Sequence, residues 1–293
     1  MNKKEQIVSK ISSFPTLPVM THRLIKALND PENAAAEIAR IIQFDPALTA
    51  NVLKAANSSY LGFRRPANSL SEATFRLGTK WIFQIALSSL IYSNLNRPAA
   101  GYDMSGEELW RHSLATALMA ESLSCLLNIR DSGLIYTAAL LHDMGKIVIG
   151  EFIAHSFKDI QRIINEKNIS FELAEEEVLG VSHTEIGALL AESWHFPSVI
   201  ADCIRWHHNP DLYPQNEPAL DIVHIADATC LMEGIGLGRD DLQYRLSEKA
   251  VTRLNLSNNV LEAAISQTLL NLEEVENLFR ETLPAANVRE VKK

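Results

Sequence analysis

An all-α protein is what this sequence predicts, on three observations. Apolar residues recur at three- and four-residue spacing in almost every segment. No run alternates convincingly with the period of two expected of a half-buried strand. Capping residues, prolines and glycines punctuate the apolar runs at helix-length intervals.

In the first third, FPTLPV is a proline-punctuated entry, and Val19 to Leu28 and Ala34 to Ile42 read as two helices separated by the turn NDPEN. Asp45 is expected to cap a third helix, with Pro46 at its first position, where a missing amide hydrogen costs nothing. A fourth begins near Ser69, ends around Gly78 and passes into WIFQIALSSLIYS, whose lack of a polar face predicts burial between two layers. NRPAAGYDMSG then breaks the pattern, so the chain is expected to divide into an N-terminal helical lobe at 1–98 and a second lobe at 99–293, packed together rather than independent.

The second half opens with Ser105 and Glu108 at capping-box spacing, ahead of a long helix carrying WRHSLATALMAESLSCLL. Asp131 is expected to cap the next helix, which ends in LLHDMGK. Ser182 and Glu185 predict another capping box, for HTEIGALLAESWH, and Pro197 starts a helix ending in RWHH. IVHIADATCLM, LSEKAVTRLNL and NNVLEAAISQTLLNLEEVENLF read as further helices, and the charged tail after Pro284 as frayed.

With 47% hydrophobic residues the chain can bury a large core, and its net charge of -9 disfavours non-specific attraction to nucleic acid or anionic lipid. Arg64 and Arg65 are the place for a local basic patch. No signal-peptide or membrane-spanning run is present in the sequence, so a cytoplasmic protein is expected. Cys125, Cys203 and Cys230 are odd in number, lack CxxC spacing and lie in apolar contexts, so buried thiols are expected rather than disulfides or a thiolate zinc site.

Chemistry centres on the adjacent pair His142 and Asp143, which at a helix end can both turn toward one cation. Further candidates sit on separate helices beside apolar runs: His112, His183, His207, His208 and Asp227. Burying several ionisable groups in one core is costly unless a cation compensates them. Imidazole and carboxylate without thiolate suit iron, manganese, zinc or nickel, as one or two divalent ions, better than calcium or magnesium. His22, His155, His195 and His224 take the commoner reading of satisfied core histidines.

The order of a first His, then HD, then a distal Asp resembles the HD superfamily of metal-dependent phosphohydrolases, and the later single histidine and histidine pair resemble its HD-GYP branch. That resemblance implies that His112, His142 and Asp227 hold one metal, that His183, His207 and His208 hold another, and that Asp143 bridges them. It also implies that Lys146, in HDMGK, contacts a substrate phosphate. The first half, through FPTLPV, DPALT, AANS and RLG, followed by WRHS, LLHDMGK, SHTEIGALLAESWHFP and WHH, is similar to the HDOD family over about residues 10–235. The implied fold is an HD-like helical bundle with the N-terminal lobe packed on it. After WHH the chain lacks the Glu and GYP signature that accompany cyclic di-GMP hydrolysis, so the resemblance extends to the ligand set and not to that activity.

Two functions follow as expectations. One is a bacterial signal-transduction or regulatory module with a metal site, acting on a partner protein in trans, with AANSSYLGFRRPANS either a binding surface or an ordinary solvated loop. The other is a metal-dependent phosphohydrolase of a nucleotide or phosphodiester, with Asp143 and Asp227 orienting water and Lys146, or one of the histidine pair, neutralising charge or protonating the leaving group.

Overall fold

A computed structural model describes residues 2–15, 17–28, 34–57, 65–236, 238 and 245–282. NDPEN, residues 58–64 of AANSSYLGFRRPANS including Arg64, and the tail after Pro284 lie outside the described residues. The described chain is helical as expected, with one isolated bridge between Ala99 and Met104 and no strand among the described residues. Two compact units form, one from Met1–Pro18 and Ile91–Leu269, the other from Val19–Leu90 and Leu270–Lys293.

The second of these units holds α2 (Val19–Leu28), α3 (Ala34–Gln43), α4 (Pro46–Ala56) and most of α5 (Leu70–Leu95). Asp45 caps α4 as expected, its carboxylate accepting from the Leu48 N–H at 3.1 Å. At Gly78 the helical path of α5 breaks (φ 78°, ψ 158°), a backbone state open to glycine, and beyond it Ile82, Phe83, Ile85, Ala86 and Leu87 are buried.

The other unit carries α1 (Lys3–Ile11), α6 (Gly106–Leu126), α7 (Ser132–Leu141), α8 (Gly145–Lys167), α9 (Phe171–Leu179), α10 (His183–Ser193), α11 (Ser198–Trp206), α12 (Pro218–Met232), α13 (Glu248–Arg253) and the start of α14 (Asn258–Thr282). Helix α6 packs on α7 and α12, and α10 packs on α8 and α11. The Ser105–Glu108 capping box forms in full. At Ser182 only half forms: its hydroxyl accepts from the Glu185 N–H, while the Glu185 carboxylate pairs with Arg205 at 2.8 Å instead of returning to the cap. Asp131 takes the N-cap position of α7 but, held at φ 61°, makes no side-chain cap. Cys203 and Cys230 are buried, whereas Cys125 is exposed near the end of α6. His155 and His195 are exposed too, against the core reading, and His224 is buried as expected. No helix among the described residues is long and apolar enough to cross a membrane.

Candidate metal centre

Two helices end alike, and this local habit starts the site. The last carbonyls of a helix have no amide partner within it. At the ends of α7 and α11 a histidine folds back to use one: His142 Nδ1 donates to the Ala139 carbonyl at 2.7 Å, and His207 Nδ1 to the Ile204 carbonyl at 2.8 Å. His112, in the middle of α6, donates from Nδ1 to the Ile235 carbonyl at 3.0 Å, just beyond α12. Gly236 follows at φ 81°, where a Cβ would fall 2.4 Å from that of His112. His183, the first residue of α10, donates from Nδ1 to the Glu175 carboxylate at 2.8 Å. With each Nδ1 proton committed, the Nε2 lone pairs of these four rings are left to face inward.

They face one another and two carboxylates. His112 Nε2 and His142 Nε2 are 3.2 Å apart, and Asp227 Oδ1 lies 3.1 Å from the first and 3.5 Å from the second. His183 Nε2 and His208 Nε2 are 3.1 Å apart. Asp143, in the turn between α7 and α8, divides its oxygens between these groups. Oδ2 lies 3.3 Å from His142 and 3.6 Å from His112, while Oδ1 lies 3.6 Å from His183 and 3.8 Å from His207. Lys146, one turn on, sets its ammonium 2.8 Å from Asp143 Oδ2.

All seven residues expected as ligands therefore converge with Lys146, their side chains between 0 and 4% exposed. Their donor atoms fall into two groups, each within 4.8 Å: His112, His142 and Asp227, and Asp143, His183, His207 and His208.

A divalent cation fits this donor set. Nitrogen and oxygen ligands at about 2.1 Å from a cation stand roughly 3.0 to 3.4 Å from one another at a tetrahedral or octahedral centre. The edges between 3.1 and 3.8 Å match that scale with little movement. Asp143 Oδ1 and His207 Nε2 are buried without a hydrogen-bond partner, a costly state that a shared cation would relieve.

The protonation pattern agrees. Burial pushes the Asp143 carboxyl up, but Lys146 and the imidazoles outweigh it and hold it well below the usual carboxylate range. Asp227 behaves likewise: burial raises it, and the neighbouring His112 and His142 imidazoles outweigh that. Burial drives His207 down to about 3 and His208 well below its ordinary value, so both offer neutral rings. His142 goes the other way, to about 10, because Asp143 and Asp227 overcome its burial. The pocket thus demands positive charge, and a proton on His142 meets part of that demand when nothing else does.

Gly145 lets these pieces meet. A Cβ there would lie 1.9 Å from the His183 carbonyl oxygen and 2.8 Å from the Gly187 nitrogen, so α8 and α10 touch backbone to backbone. Gly145→Ala is expected to force them apart and cost about 1–3 kcal/mol of stability, as overpacking does. The urea midpoint should fall accordingly; an unchanged midpoint would contradict this account.

Glu175 is not among the residues that the sequence singles out. It sits within FELAEEEVL, at the head of three successive glutamates, yet it is 0% exposed. The signal that could have found it is helical spacing: Glu175 lies four residues after Phe171 and four before Leu179, both buried, and so falls on the apolar face of α9.

A model of the HDOD domain matches residues 14–210. The crystal structure of an HDOD domain protein of unknown function from Geobacter sulfurreducens is 26% identical, with a TM-score of 0.69 and 95% of each chain covered. An uncharacterized protein of Treponema pallidum (strain Nichols) is 29% identical over 228 residues, 76% of this chain and 43% of that protein. Ribonuclease Y of Thermus thermophilus is 30% identical over 163 residues, 55% of this chain and 23% of that protein. The matched regions thus span less than half the length of these curated relatives.

Proposed function

The chain belongs to the HDOD domain family, and from that premise we propose that it is a signal-transduction or regulatory module built around two divalent transition metal ions, acting on a partner protein in trans. The observation that carries this reading is the split of Asp143, whose two oxygens face two separate groups of inward-turned donors. His112, His142 and Asp227 hold one cation, His183, His207 and His208 hold the other, and Asp143 bridges. The donors suit iron, manganese, zinc or nickel. They come from α6, the α7–α8 turn, α10, the end of α11 and α12, so filling or emptying the centre changes the packing of five elements at once. A change of that extent is one a partner protein can read.

Hydrolysis of a phosphodiester or nucleotide is the second reading, favoured by Lys146. Two divalent cations and its ammonium together outweigh the charge of Asp143, Asp227 and Glu175, so the centre attracts an anion such as a phosphate group. Ribonuclease Y, by its name, acts on such a linkage. When bound, the cations supply Lewis acidity toward phosphoryl oxygens and acidify water. Asp143 and Asp227 orient the attacking water, and Lys146 neutralises charge and donates the leaving-group proton. His207 and His208, held neutral by burial, act as donors to the cations rather than as acids.

Elemental analysis of the purified protein, paired with a panel of nucleotides, cyclic dinucleotides and generic phosphodiesters, tests both readings. Two metal ions per chain are expected, and protein without bound metal would overturn the proposal. Turnover abolished by a chelator would replace the regulatory reading with the enzymatic one; metal-replete protein inert across the panel would eliminate the enzymatic one.

A further inference from the structure

Resting on the two-cation reading above, we infer that Glu175 is a positioning residue that makes the two halves of the centre unequal, holding His183 for the more tightly kept cation, with Tyr102 holding Glu175 in turn. Three of the imidazoles donate from Nδ1 to neutral peptide carbonyls, those of Ile235, Ala139 and Ile204. His183 alone among these four donates to a carboxylate. A full negative charge behind the ring raises the electron density at Nε2 and strengthens it as a donor, an effect that a peptide carbonyl delivers more weakly.

The carboxylate also removes the ring's freedom. Glu175 Oε2 accepts from both the backbone N–H and the Nδ1–H of His183, each at 2.8 Å, which satisfies an unpartnered amide at the start of α10 and fixes the ring to its own backbone. The Tyr102 hydroxyl donates to the other oxygen, Oε1. Its ring stands edge-on to His183 with centroids 6.1 Å apart, and the Lys146 ammonium lies 5.5 Å from its centre. Tyr102 therefore touches the support of one cation group and the lysine paired with the bridging Asp143. It comes from the Pro/Gly-rich connector between α5 and α6, where the Ala99–Met104 bridge anchors it. A buried acid whose two oxygens take three donors is arranged to hold a ligand, and among the four imidazoles whose Nδ1 partners are described above only His183 has one.

The test is a Mn2+ titration of metal-stripped full-length protein, followed by calorimetry and electron paramagnetic resonance. Wild type is expected to take two ions per chain with unequal affinities, giving the six-line spectrum of an isolated ion at limiting Mn2+ and that of a spin-coupled pair at saturation. Glu175→Gln keeps the shape and one acceptor but loses the charge. It is expected to weaken the tighter site by about 10–100-fold and leave the other unchanged, so that the two affinities converge and the isolated-ion spectrum at limiting Mn2+ no longer comes from one preferred site. Tyr102→Phe removes a single hydroxyl, should move the same site in the same direction by less, and decides the matter if Glu175→Gln does not fold. Equal weakening of both sites, or a lower metal-free Tm with both affinities unchanged, would overturn the inference. Wild-type protein that binds no Mn2+ or other divalent transition ion would overturn the two-cation reading on which it rests.

Discussion

Asp143→Asn is expected to empty the whole centre, whereas loss of any single imidazole empties one half of it. Each oxygen of this carboxylate faces the inward-turned Nε2 atoms of a different set of donors, and it is 1% exposed. Asparagine keeps one acceptor, but its NH2 offers no lone pair to a cation and instead donates to an inward-facing Nε2. Both cations lose a ligand and the charge that offsets their mutual repulsion. Because replacing residues that merely support ligands already costs about 10–100-fold in metal affinity, more than about a hundredfold is expected at each site here. The buried ion pair between Lys146 and Asp143 is also broken, which typically costs about 3–5 kcal/mol. The asparagine variant should therefore emerge from gel filtration without metal and with a lowered denaturation midpoint. His208→Ala should emerge with one ion per chain. Full metal content in Asp143→Asn would remove Asp143 from the bridging position.

The convergence of these His and Asp residues is legible in the sequence because they lie beside apolar runs, where an unpaired ionisable group is costly. The helices are legible for a related reason. Their apolar spacing sets which face is buried, and Pro46, Ser105 and Pro197 mark starts that the structure keeps. What spacing does not carry is the behaviour of a side chain that has a choice of partners. Glu185 leaves the cap of α10 for Arg205, and Asp131 at φ 61° turns away from the helix it precedes. Glu175 is the instructive case. Three glutamates in succession suggest a solvated face, and only the packing of α9 against α8 and α10 decides that one of them is enclosed. Helix α1 escapes notice for the opposite reason. Asn2 and Glu5 form a full capping box, but a nine-residue helix with one buried residue, Ile7, leaves almost no periodic apolar signal.

Chelation should expose how far the fold depends on this centre, and pH should set the size of the effect. Metal bound only by the native state stabilises it by about 4 kcal/mol per site at a thousandfold excess over Kd. A domain of 150–250 residues shifts its Tm by roughly 2–4 °C per kcal/mol, so EDTA should lower Tm by more than about 10 °C. In the stripped protein two histidines then act in opposite senses. His207, with its pKa lowered to about 3, stays neutral when folded but takes a proton when unfolded below about 6.5, so stability is lost as pH falls from 6.5 toward 3. His142, raised to about 10, contributes stability that is fully present below 6.5 and is lost as pH rises toward 10. Stripped protein should thus be most stable near pH 6.5. Cations compete with the proton on His142 for the same nitrogen, so their binding strengthens as pH rises through this upper window. The Tm difference between metal-loaded and stripped protein should therefore widen from pH 6.5 to 9. A difference that stayed flat or narrowed over that range would mean that the proton on His142 and the cations do not share a site.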